Sequence, residues 1–253
     1  MRFRLQAFAT HLLASAAVLT LVLSGLYLGW YRWPGWYLSN ALNIAPLLAC
    51  IDVVLGPLTT LLIANPLKAR RELARDIGVI VTVQLLALFY GAATLWHGRP
   101  LYYAFSEDRL QLVQASDLSA REWALADEQN PPLAPHWYRR PRWVFAPLPD
   151  APAERAAIIA SARQGGDDVI QMPRYFRAWE QGLPALRAHL LTVGHQVDVR
   201  FYKKQSRLEQ QLVARGFDPH VPATMIMTGR SAPLLAVFDR ESLQIKAYLR
   251  ADQ

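Results

Sequence analysis

Cysteine is almost missing. Cys50 is the only one in 253 residues, so no internal disulfide or paired-cysteine motif can form. Catalytic and cofactor signatures are missing too. No G-x-S-x-G, H-E-x-x-H, GxGxxG or Walker loop occurs. Six histidines are scattered along the chain. His189 and His195 stand six apart, a poor spacing for ligands on one helical face. These absences argue against metal, nucleotide and nucleophilic chemistry, and the expectation is a non-enzyme without cofactor or metal. Charge is scarce in the first 96 residues, with 7 Lys/Arg and 3 Asp/Glu, while residues 97–253 hold 20 and 17. The split predicts a membrane domain (1–96) followed by a soluble domain (97–253) of common single-domain size. Of the net charge of +7, the membrane half carries +4, and the +3 left on the soluble half is weak evidence for a nucleic-acid partner.

What the first half does have is three apolar runs, at about 11–31, 40–64 and 77–96. Each has the roughly 20 residues that a helix needs to cross the hydrocarbon core. The second contains Pro46 and Pro57, which predict a kink or a broken helix. The first run ends in Tyr27, Trp30, Tyr31, Trp33, Trp36 and Tyr37. That is an interfacial aromatic belt, not a small-residue cleavage site, so the run is expected to be an uncleaved anchor. Arg2 and Arg4 precede it, and Lys68, Arg70, Arg71 and Arg75 fill the loop between runs two and three. The positive-inside rule then puts the N-terminus in the cytoplasm and the C-terminal domain in the periplasm.

The second half reads as mixed α+β. Tyr102–Phe105 and Leu110–Gln114 flank a polar turn as a hairpin, and a proline-rich connection (Pro131, Pro132, Pro135, Pro141) follows. Trp143–Ala146 reads as a strand, Ala153–Gln164 as a helix, and Met172–Gln181 and Pro184–Leu191 as short helices. Val197–Tyr202 is a strand candidate, leading into a helix at Lys203–Arg215. Thr224–Thr228, Leu234–Phe238 and Ile245–Leu249 complete the strands. Asp167-Asp168 could hold a cation or form a solvated loop. Arg174, Tyr175, Phe176, Arg177 and Trp179 could contact a partner or bury an aromatic face.

Asp52 is the one acidic residue inside an apolar run. A carboxylate at bilayer depth costs about 2.5–3.5 kcal/mol on insertion scales and faces protein or a cavity. On a helix, Ala45, Ala49, Asp52, Gly56 and Thr59 form a small, partly polar stripe, with Pro57 beside it. Such a stripe suits close helix packing, partner docking, or proton and ion movement. The other spans offer neutral polar residues such as Thr20, Gln84 and Tyr90.

The segment ACIDVVLGPLTTLLIANPLK resembles the type IV pilin accessory proteins (the TfpX/TfpZ group). In that group an Asp is followed by an apolar pair, Leu-Gly-Pro, a membrane run and an Asn-Pro exit. Here these are Asp52, Leu55, Gly56, Pro57, Asn65 and Pro66. FATHLLASAAV and GRPLYYAFSEDRL share the likeness, which covers residues 5–115. The proline-containing approach SNALNIAPLLACID departs from it. The resemblance implies an inner-membrane, chaperone-like protein that binds or stabilises type IV pilin and modulates pilus assembly, with membrane lipid and the assembly machinery as further partners. It implies no catalytic residue. The rival readings are a membrane-anchored enzyme that modifies pilin or lipid, and a small transporter subunit.

Overall fold

The computed structural model describes residues 1–192, 205–217 and 223–250. It divides into two compact units. One comprises Met1–Arg32 and Asn40–Gly98, the other Trp33–Ser39 and Arg99–Gln253. The protein is a membrane-anchored α+β chain, with three long apolar helices ahead of a helix-and-sheet unit.

In the first unit the helices are span one (Arg2–Tyr31), span two (Ala41–Ile63) and span three (Arg70–His97). Spans one and three outrun their apolar stretches, because the flanking polar residues continue the helix, while span two stays within its run. Their outer surfaces are apolar and exposed, including Leu62, Leu86 and Phe89, as suits lipid-facing walls. Span two is α-helical over Ala41–Ala49, a π turn over Cys50–Leu55, and α-helical again over Gly56–Ile63. Pro57 accounts for the change. It has no N–H to give and its ring clashes with the carbonyl four residues back, so the preceding turn widens. Ala64 then turns extended before Asn65-Pro66, and the helix stops.

The second unit is built on a seven-stranded sheet, with order β4-β3-β1-β2-β5-β6-β7. The strands are β1 (Pro100–Ser106), β2 (Arg109–Gln114), β3 (Arg142–Phe145), β4 (Arg177–Ala178), β5 (Thr224–Thr228), β6 (Leu234–Phe238) and β7 (Ile245–Arg250). β1 and β2 form the expected antiparallel hairpin, β3 runs parallel to β1, and β5 runs parallel to β2. The helices are α1 (Ala120–Gln129), α2 (Pro152–Arg163), α3 (Leu183–Thr192) and α4 (Gln205–Ala214).

Strand alternation sorts the core onto two faces. Tyr103, Phe105, Leu110, Leu112, Met225 and Met227 point one way, against Leu186 and Leu190 of α3. Tyr102, Ala104, Val113 and Val144 point the other way, against Ile158 of α2 and Val169, Ile170 and Phe176.

Three expectations change. The segment Trp33–Ser39 sits in the second unit, with Tyr37 and Leu38 inside the first of these cores, so the aromatic cluster is not all interfacial belt. Leu38 is fully buried and its carbonyl accepts from the backbone N–H groups of Arg230 and Ser231, at 2.8 and 3.1 Å. Gly229 allows this approach, since a Cβ there would stand 2.5 Å from the Leu38 oxygen. The stretch before the prolines contains helix α1, capped by Ser119, whose hydroxyl accepts from the Glu122 N–H. Met172–Gln181 is not one helix. It breaks into two 3-10 turns around β4, because its aromatics serve opposite faces of the sheet. Phe176 packs on Tyr102 and Trp179 packs on Trp143. Val197–Tyr202 lies outside the described residues.

Candidate functional site

Asp52 is the twelfth residue of a 23-residue span, so about 17 Å of helix separate it from either end. It is 4% exposed. The π turn determines its surroundings. The Gly56 N–H bonds to the Ile51 carbonyl instead of the Asp52 carbonyl, and Pro57, the next possible donor, has no N–H. The Asp52 carbonyl therefore has no backbone partner. Gln84 of span three supplies one, its Nε2 donating to the Asp52 oxygen at 3.0 Å. Gly56 makes the approach possible, because a Cβ there would fall 2.0 Å from Gln84 Nε2.

The stripe read from the sequence is largely assembled. Ala45, Asp52, Gly56 and Pro57 are buried and Ala49 is half-buried. The wider turn then advances the inward face by one residue. Thr59 is left half-buried, its hydroxyl donating to the Leu55 carbonyl of its own helix. Thr60 takes the inner position, buried, with its Oγ1 hydrogen bonded to Nδ1 of His11 on span one at 2.6 Å. Of the neutral polar residues on the other spans, Thr20 and Tyr90 are exposed on the outside of their helices. The polar residues that do gather here are His11, Thr60 and Gln84.

Spans one, two and three leave a cleft of about 130 Å³ at this point, with Asp52 and Gln84 in it and His11 and Ser15 on the span-one side. Its rim includes Val18, Val81 and Leu85, which are exposed at the surface of the unit. Asp52 Oδ2 and Gln84 Oε1 are both shielded from solvent and without a hydrogen-bond partner.

The candidates in the second unit are structural. Asp167 accepts from the Ser119 hydroxyl at 2.7 Å, and Asp168 from Arg109 at 2.6 Å. Among the described residues no group of three or more His, Cys, Asp or Glu could hold a metal. Arg174 pairs with Glu122, and Tyr175 donates to Glu154. A wider cleft of about 860 Å³ has Trp143, Trp179 and Tyr248 in its walls. Arg142 at its edge donates to the Leu133 and Ala134 carbonyls, both at 2.9 Å. Burial pushes the Tyr248 hydroxyl up to about 12, which keeps it a neutral group at physiological pH.

Sequence comparison brings three relatives from Dichelobacter nodosus. The chain is 29% identical over 180 residues to a fimbrial assembly protein of serogroup I, spanning 70% of this chain and 67% of that protein. It is 28% identical over 207 residues to the serogroup E1 protein, spanning 77% and 78%. It is 30% identical over 108 residues to the fimbrial assembly protein of serogroups C1 and C2, spanning 43% of this chain and 82% of that protein. No protein-family model and no solved structure matches the chain.

Proposed function

The chain belongs to the fimbrial assembly protein family, and on that premise we propose that it is a non-enzymatic inner-membrane protein that binds and stabilises type IV pilin during pilus assembly. The observation that carries the reading is the Asp52 face. A chain that anchors only a soluble domain has no use for a buried carboxylate at mid-membrane, a glycine reserved for a cross-span amide and a cleft between its spans. A pilin subunit awaiting assembly holds its own apolar helix in the same bilayer. A small-residue, partly polar face is what such a helix can pack against.

The enzyme reading has less support. Of the polar residues lining the wider cleft, which are Arg142, Glu180, Ser242, Gln244 and Tyr248, Arg142 is spent on backbone carbonyls and the Ser242 hydroxyl on Asp239. The sidedness proposed is N-terminus in the cytoplasm and sheet unit in the periplasm. Lys68, Arg70, Arg71 and Arg75 support it, and so does the assignment of Trp33–Ser39, which joins spans one and two, to the sheet unit.

Two experiments test this. Loss of the chain should lower surface pili while pilin is still made, and tagged full-length chain should bring pilin with it in mild detergent. Unchanged piliation would refute the function. Single cysteines at Ala69 and Ser161, in a Cys50→Ser background, should react with an impermeant reagent from opposite sides of the membrane. Reaction of both from one side would refute the topology.

A further inference from the structure

Asp52 Oδ2 and Gln84 Oε1 are hydrogen-bond acceptors without donors, on residues 4% and 7% exposed, in one cleft. A buried acceptor left unmade is costly, and the hydrocarbon core has no water to satisfy it. The donors lining the cleft leave both acceptors unmet, and the Ser15 hydroxyl on the span-one side bonds neither of them. Gln84 Nε2 holds the Asp52 carbonyl, and His11 and Thr60 hold each other. The unmet chemistry is therefore that of a donor. The size of the cleft narrows the choice. At about 130 Å³ it approaches the ~150 Å³ of an engineered protein cavity that holds benzene, which is room for one side chain and not for a helix. Its rim of Val18, Val81 and Leu85 is apolar and exposed at the surface of the membrane unit. Only a group already in the bilayer can come over that rim.

We propose that the cleft receives one hydrogen-bond-donating side chain from the membrane helix of the pilin subunit, its donor meeting Asp52 and Gln84 and its stem lying against Val81 and Leu85. This rests on the pilin-binding reading above and adds the chemistry of the contact. A partner that presents only apolar groups at that depth is refused, because it leaves both buried acceptors unmet.

The test uses the full chain in native membranes with its cognate pilin. A photo-crosslinking amino acid replaces Val81 at the rim or, separately, Phe89 on the exposed surface of span three, and pilin adducts are identified by mass. The Val81 probe should capture pilin. Asp52→Leu should lower that capture about threefold to thirtyfold, the range set by one interhelical hydrogen bond in a membrane. Asp52→Asn, which keeps an acceptor oxygen, should hold capture near the wild-type level. Ala14→Phe, which narrows the cleft without altering either acceptor, should also abolish it. This second variant keeps the test valid if Asp52→Leu fails to insert. Pilin capture at Val81 that ignores both Asp52→Leu and Ala14→Phe overturns the donor site and leaves pilin binding standing. Capture at Phe89 but not at Val81 does the same. Capture of pilin at neither position overturns the donor site and the pilin-binding reading together.

Discussion

Glu122 in the sheet unit and Asp52 in the membrane unit are the buried carboxylates among the described residues, at 1% and 4% exposure. Glu122 has a cation. Arg174 pairs with it from the turn after α2, stacks over the Tyr175 ring, and is held by elements that pack on one face of the sheet. Asp52 has no such partner. The amide N–H of Gln84, in the same cleft, is spent on the Asp52 backbone carbonyl. In a water-bordered domain a buried charge is tolerated when its counter-charge folds in with it. On the function proposed above, a carboxyl kept at mid-bilayer without one is a group held for a partner. The difference then separates a part that maintains a fold from a part set aside for that partner.

The largest effect should come from breaking the Glu122–Arg174 pair. Arg174→Leu strands Glu122 and should destabilise the sheet unit by about 3–5 kcal/mol. The urea midpoint of the full chain in micelles, followed by tryptophan fluorescence, reads this. Adding Glu122→Leu should recover most of the loss, since the pair is then replaced by apolar groups. A double variant as unstable as the single one would mean that the pair does more than neutralise itself.

Next comes the loop between spans one and two. Leu38→Ala removes a fully buried side chain from the sheet core and should cost about 2–5 kcal/mol in the same measurement. A fragment of residues 99–253 alone should melt below a version in which residues 33–39 are restored. Equal stability would show that Tyr37 and Leu38 are passengers in that core.

Smaller still is Gly56→Ala, whose new Cβ must push Gln84 off the Asp52 carbonyl. One interhelical hydrogen bond in a membrane is worth about 0.6–2 kcal/mol, so the bundle should weaken by that amount in a membrane unfolding assay. No change would mean that the π-turn carbonyl is satisfied without Gln84.

Much of this was legible in the residues. Three apolar runs, the hairpin around Glu107-Asp108 and the three C-terminal strands follow from period and turn chemistry alone. Asp52 stood out because nothing else acidic shares its run. The register past it did not. Counting at 3.6 residues per turn placed Thr59 inward, whereas Pro57 widens the preceding turn and hands the position to Thr60. His11 carries no signal of this role in the sequence, because its partner lies 49 residues away and on another helix. Helix α1, AREWALADEQ, is too polar to signal itself beside a proline-rich stretch. The aromatic segment after span one suits a membrane interface and a protein core equally well, and only the fold shows Tyr37 and Leu38 in the sheet core.

The central claim is that the Asp52 face serves a partner and the sheet unit's buried pair serves the fold. The direct measurement is the amount of pilin that co-purifies with the tagged full-length chain, per molecule of chain inserted, for wild type, Asp52→Asn and Asp52→Leu. The account predicts near-normal recovery with Asn and a loss on the order of tenfold with Leu at unchanged insertion. Full recovery of pilin with Asp52→Leu would contradict it.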